Sequence, residues 1–299
     1  MKSINRKDLT TEKQNQRSSN IDELSTVDIL KLMNEEDTAL PKKIASCIKD
    51  IEHAVEICVL SLRSGGRVFY VGAGTSGRLG VLDASEIPPT FSAPSDMFTG
   101  IIAGGDNALK NSIEGAEDDS RHAILDLTNH GIKKDDVLIG ISSSGAARYV
   151  QSALEYARSI ECKTVYLICN KTPFLPAETD VLISVDTGPE LITGSTRLKA
   201  GTATKMILNM ISTTTMVKLG KVYGNLMVDL MAVNDKLVDR ATRIISQLAA
   251  VDTGTAKKAL IESNMSVKTA VVMLCCSVDR DNAIKMIEDN NGMLRKIIS

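Results

Sequence analysis

Five short, almost wholly apolar runs, separated by helix-length stretches, constrain this chain more than any other feature. They are RVFYV at 67–71, FTGIIAG at 98–104, DVLIGIS at 136–142, TVYLIC at 164–169 and VLISV at 181–185. A strand with one solvated face alternates polar and apolar residues, whereas a strand apolar throughout is covered on both faces. The sequence therefore predicts an α/β fold with a doubly wound, five-stranded parallel sheet whose crossovers are helices.

The flanks read differently. Residues 1–20 are polar and lack hydrophobic period, which predicts an arm that stays mobile or is ordered by docking. From Ser25 the pattern turns helical, with Ile29, Leu30 and Met33 on one side. A second helix is expected from Pro41 to a stop at Gly65-Gly66, with Ile44, Cys47, Ile48, Ile51, Val55, Cys58, Val59 and Leu62 on one face. After the sheet, a long helix should run from about Arg197 to Leu219. Short amphipathic helices follow around Leu237–Leu248, Ala256–Ile261, Val267–Leu274 and Ala283–Ile287.

Composition excludes several functions. Lys plus Arg number 35 against 37 Asp plus Glu, so no charge excess draws the chain to nucleic acid or an anionic membrane. Aromatic residues make up 3% with no Trp, which leaves no base-stacking platform. The six cysteines form no CxxC pair and read as buried thiols of a reducing compartment. No signal-peptide core and no apolar run near the ~20 residues of a bilayer span is present, so a cytoplasmic protein without membrane partner is expected.

In a parallel α/β sheet, ligands bind beyond the carboxyl ends of the strands. Three loops there are rich in Gly, Ser and Thr: GAGTSGRLG at 72–80, SSSGAAR at 142–148 and TGSTRLKAG at 193–201. Gly admits close backbone approach, hydroxyls donate, and a helix start offers unpaired N–H groups, so together they suit a phosphate. The candidates are Gly74, Thr75 and Ser76, then Ser142, Ser143 and Ser144, then Ser195, Thr196 and Lys199, with Arg197 alongside. Gly72, Gly74 and Gly77 spell G-x-G-x-x-G, but a dinucleotide needs a strand-end acid ~20 residues on. The next strand end carries Ala103-Gly104-Gly105 instead, and no cofactor is implied.

Among the acids, Glu86 in DASEIPP precedes Pro88-Pro89, which should end its helix, and Glu117 lies in the acidic run EGAEDD. Composition alone makes either a surface charge. His53 falls off its apolar stripe, and His122 and His130 lie in a polar stretch with no partner at ligand spacing, so neither a metal site nor a Ser-His-Asp triad is expected.

The strings NIDELST (20–26), VGAGTSGRLGVLDASEIPPT (71–90), IAGGDNAL and EGAEDD (102–119), GPELITGSTRLKAGTATK (188–205) and KLGKVYGNLMVD (218–229) together closely resemble the N-acetylmuramic acid 6-phosphate etherases. That family is built on the sugar isomerase (SIS) domain. The resemblance implies an N-terminal arm with helices over 1–53, an SIS sugar-phosphate-binding domain over 54–222 and a ubiquitin-associated-like helical bundle over 235–299. It further implies a homodimeric lyase that removes (R)-lactate from a sugar-phosphate substrate, with catalytic carboxylates at Glu86 and Glu117. The chain departs from the family where ASGRTPYV is usual. It reads SSGAARYV at 143–150, without the charge at 146 and the proline at 148 and with Arg148 added, and it has Ile87 for the usual Cys.

The implied chemistry is a β-elimination. In the open-chain sugar the C2 proton is acidic beside the C1 aldehyde, and the ether oxygen leaves C3; one ionised carboxylate serves as base and one carboxyl as acid. Two rivals share the fold class. An SIS-type isomerase commonly uses a His for ring opening, and none of the three histidines lies in the phosphate loops. A sugar-phosphate-sensing regulator resembling the glucokinase regulatory protein would carry two SIS domains, more than 299 residues hold.

Overall fold

The computed structural model describes residues 6–230, 232 and 234–298. The first five residues of the expected arm and the last residue of the expected bundle lie outside the described residues. The chain divides into two compact units, one of residues up to Ser85 with Asp96–Ser212, the other of Glu86–Ser95 with the residues from Thr213 onward.

In the first unit, four short 3-10 turns between Arg6 and Glu23 precede helices α1 (Thr26–Thr38), α2 (Leu40–Ala45) and α3 (Ile48–Arg63). The single helix expected from Pro41 is thus two. Between them Ser46 Oγ donates to the Lys43 carbonyl at 2.7 Å and Cys47 Sγ donates to the Ser184 carbonyl at 2.9 Å, bonds that fix a bend. Strand β1 (Val68–Gly72) leads into α4 (Gly74–Phe91), β2 (Phe98–Ile102), α5 (Asn107–Lys110), α6 (Ser120–Asn129), β3 (Val137–Ile141), α7 (Arg148–Ser159), β4 (Lys163–Ile168) and β5 (Val181–Ser184).

The five strands form one parallel sheet in the order β2-β1-β3-β4-β5, as the apolar runs predict. Every residue of β1 and β3 is buried, because helices cover both faces. One face packs Phe69, Val71, Leu138 and Tyr166 against Ala123, Leu127, Val150 and Leu154 of α6 and α7. At the opposite end from the loops, wholly buried Asp136 accepts from the N–H groups of Arg67 (2.8 Å) and Lys133 (2.9 Å), which ties the start of β1 to that of β3.

The expectation that Pro88-Pro89 ends the helix after Glu86 is not met, since α4 continues to Phe91. Both prolines lie in the final turn, so only the two N–H groups reaching back to Ala84 and Ser85 are lost and no further turn has to be built on them.

Helix α8 (Lys199–Lys218) runs from the first unit into the second, which also holds the hairpin β6 (Val222–Tyr223) and β7 (Leu226–Met227) and helices α9 (Asp235–Ala249), α10 (Thr253–Glu262), α11 (Val267–Cys276) and α12 (Arg280–Asp289). Side chains of Asn234, Asp252, Ser266 and Asp279 cap the four bundle helices. Ile245, Leu260, Val271 and Ala283 form the centre of their shared core. Cys47, Cys58, Cys162 and Cys169 are buried thiols as expected, but Cys275 is exposed, because it lies on the outward side of α11.

Candidate functional site

The strand order reverses at β1, whose neighbours are β2 and β3, and this opens a crevice at their carboxyl ends. Gly72 there is in register with Ile102 and Ile141. The turn into α4 is possible because Gly74 adopts a φ of +53° and because Gly77 packs on the strand it has just left. A Cβ on Gly77 would stand 2.6 Å from the Gly72 carbonyl oxygen. Thr75 is half-buried and Ser76 buried in the first turn of α4.

The other two hydroxyl-rich loops meet this one. A Cβ on Gly201, in the first turn of α8, would lie 3.5 Å from Thr75 Cγ2. Cys169 joins the remaining pair, its N–H donating to the Ser143 carbonyl at 2.8 Å and its Sγ to the Ala200 carbonyl at 3.5 Å. Ser142 is buried, while Ser143, Ser144, Ser195 and Thr196 are half-buried and Arg148 is exposed at the start of α7. The convergence expected from composition is therefore present.

Two details differ from a simple cradle of free donors. The N–H groups of Lys199 and Ala200, at the start of α8, both donate at 2.9 Å to the carboxylate of wholly buried Glu190. Burial pushes the Glu190 carboxyl above its ordinary value, and these two donors pull it back only in part. The ammonium of Lys199 is also engaged, 2.5 Å from Glu36 Oε2, with the lysine 3% exposed. Eight residues, 191–198, separate Glu190 from the helix it caps, a contact no local pattern predicts.

Glu117 lies in a 3-10 turn, Ala116–Asp118, entered through Gly115 at φ +74°. Its turn and the β1 loop share a cavity of about 360 Å³ lined by Ala73, Gly74, Arg78, Glu114, Ala116 and Glu117 among others. Arg78 fixes the far wall, donating from Nε to the Leu109 carbonyl at 3.0 Å and from Nη2 to the Asn111 carbonyl at 2.8 Å. Glu117 is exposed into this space. Glu86 is exposed too, on α4 and in the second unit.

His122 has a partner that its spacing was not expected to supply. Asp119 caps α6 by accepting from the N–H groups of Arg121 (3.1 Å) and His122 (3.0 Å), and its second oxygen lies 2.6 Å from His122 Nδ1. The His122 N–H, more than any other group, holds the Asp119 carboxyl below its ordinary range. A cap residue three positions before the histidine is the signal that could have found this pair. Among the described residues no group of three His, Cys, Asp or Glu side chains is placed to hold a metal ion, and no single helix is long and apolar enough to cross a membrane.

Residues 50–158 match the family model of the glucokinase regulatory protein N-terminal SIS domain. Over almost its whole length the chain is similar to N-acetylmuramic acid 6-phosphate etherase 1 of Bacillus licheniformis, with 48% identity over 97% of this chain and 96% of that protein. Two further relatives are the N-acetylmuramic acid 6-phosphate etherases of a Geobacillus species (47% identity, 97% and 98% coverage) and of Pectobacterium atrosepticum (46%, 97% and 96%). Among solved structures, a phosphoheptose isomerase from Neisseria gonorrhoeae is similar at a TM-score of 0.47 and 15% identity, over 64% of this chain and 98% of its own.

Proposed function

The chain belongs to the N-acetylmuramic acid 6-phosphate etherase family and is a carbon–oxygen lyase for the lactyl ether of that sugar phosphate, and we propose that Glu117 and Glu86 are its catalytic pair. The observation that carries this assignment is the shared cavity of Gly74 and Glu117, which sets a carboxylate beside the loop suited to the phosphate.

Glu117 serves as the base. With the sugar open and its phosphate on the hydroxyl-rich loops, Glu117 takes the C2 proton, the C2–H electrons pass to the C1 carbonyl as an enolate, and their return expels the lactyl oxygen from C3. Glu86 gives that oxygen its proton. Water then adds to C3, a proton returns to C2, and ring closure yields N-acetylglucosamine 6-phosphate. Each proton transfer is worth ~10²–10⁴ in rate, and anchoring the phosphate supplies the positioning.

The active unit is a homodimer. In this reading a second copy brings its own Glu86 to the cavity. Binding and catalysis fall within 54–222, behind an arm and helices over 1–53, and the bundle over 235–299 serves packing. The buried free thiols fit the reducing cytoplasm.

Incubation with N-acetylmuramic acid 6-phosphate and an assay for lactate tests the reading. Stoichiometric lactate and N-acetylglucosamine 6-phosphate are expected. Conversion to a ketose phosphate, or binding without turnover, would replace it with an isomerase or a regulator.

A further inference from the structure

The segment before α1 has little hydrophobic reason to lie ordered. Between residues 7 and 20 the buried side chains are Leu9, Thr11 and Ser18, of which only one is apolar. Its polar contacts run to Glu35 and Glu36 on α1, to Asn170 just beyond β4 and to the Pro189 and Leu191 carbonyls before α8, and Asn170 and Glu36 each lead on to a hydroxyl-rich loop.

One chain of contacts starts at wholly buried Thr11. Its N–H donates to Asn170 Oδ1 at 3.3 Å, and Asn170 Nδ2 donates back to Thr11 Oγ1 at 3.0 Å and onward to the Ser143 carbonyl at 3.1 Å. A second chain leads through Glu36. Asn15 Nδ2 (3.0 Å), Arg17 Nη1 (2.8 Å) and Lys199 Nζ (2.5 Å) all donate to its carboxylate. Asn15 also reaches the Pro189 carbonyl at 3.4 Å, and Ser18 Oγ donates to the Leu191 carbonyl at 2.7 Å, so the strand of chain that carries Ser195 and Thr196 is held at three places.

We propose that Leu9–Ser18 is a clip that sets the phosphate loops through two positioning residues, Asn170 for Ser143–Ser144 and Glu36 for Ser195–Lys199. The inference rests on the phosphate reading of those loops given above. It deepens that reading by making phosphate affinity depend on residues that do not touch the ligand.

The test uses the full chain, three single variants and one double variant. Asn170→Asp replaces the donor that serves Thr11 and Ser143 with an oxygen of the same shape, Thr11→Val removes one hydroxyl, and Thr11→Ser keeps it. KM and kcat for the sugar phosphate, and the inhibition constant of inorganic phosphate, are measured beside a thermal melt. A clip acting on ground-state binding raises KM and the phosphate constant together by about tenfold, the equivalent of one hydrogen bond, and leaves kcat within about twofold. Thr11→Ser should behave as the parent, and Thr11→Val added to Asn170→Asp should cost nothing extra, since the two share one contact. Folded variants with unaltered KM and phosphate constant would overturn the clip. Should Asn170→Asp not fold, Thr11→Val decides. If instead the parent enzyme turned over the unphosphorylated sugar equally well, the phosphate assignment itself would fall, a result distinct from an unaltered KM in the variants.

Discussion

Lys199 and Glu36 form a 2.5 Å ion pair in which the lysine side chain is 4% and the glutamate side chain 12% exposed, with Arg17 sharing the same carboxylate. Burial alone would raise the Glu36 carboxyl, but the Lys199 hydrogen bond and charge, with Asn15 and Arg17, outweigh it and hold it below the ordinary 4.5. A depressed folded value means that this carboxylate stabilises fully above its unfolded value and loses that contribution as pH falls through the folded one.

Stability should therefore fall on acidification below about pH 4.5, and Glu36→Gln should flatten that limb while lowering stability at neutral pH by about 3 kcal/mol, because it takes from buried Lys199, which has Lys43 nearby, the carboxylate it pairs with. Melting temperature against pH for both proteins checks this. Coincident curves would show that the pair contributes nothing.

Glu190→Ala strips the caps from the Lys199 and Ala200 N–H groups in a site closed to water. A loss of about 2–4 kcal/mol is expected in denaturant unfolding, the cost of two buried donors left unmet. Glu190→Gln retains one acceptor and should lose less. Equal losses in the two variants would indicate that water replaces the cap.

Gly77→Ala puts a methyl 2.6 Å from the Gly72 carbonyl and 2.6 Å from Ile102 Cγ1, so the β1 loop must shift. The variant should lose most of its affinity for the sugar phosphate, read as a KM at least about tenfold higher, even where it still melts cooperatively. An unchanged KM would place the phosphate elsewhere.

Phosphate dependence follows from the three converging loops. Two or three charge-assisted hydrogen bonds are worth about 4 kcal/mol, so unphosphorylated N-acetylmuramic acid should show a kcat/KM lower by ~10³. Comparable values for the two sugars would remove the phosphate from the account.

The sheet was legible because strands covered on both faces leave an unmistakable mark, as in VFYVG and VLIGI, and the loops at its edge were legible because Gly and hydroxyl residues cluster there. What escaped depends on contacts distant in sequence. Thr11 bonds Asn170 across 159 residues and Lys199 bonds Glu36 across 163, and neither leaves a period in the chain. Pro88-Pro89 misled for a local reason, since two prolines in a last turn cost only two backbone bonds and leave no later turn to be built on them. Asp119 and His122 escaped because a cap residue in an acidic run looks like any other charge.

The central claim is the division of labour between Glu117 and Glu86, and proton exchange tests it most directly. In D₂O, NMR at C2 of N-acetylglucosamine 6-phosphate follows exchange, and lactate release from N-acetylmuramic acid 6-phosphate follows elimination. Glu86→Ala should lose lactate release by at least ~10² yet still exchange deuterium into C2, because the base at Glu117 remains. Glu117→Ala should lose both. Exchange that survives in Glu117→Ala and vanishes in Glu86→Ala would reverse the two roles, and near-parental lactate release in either variant would contradict the catalytic pair.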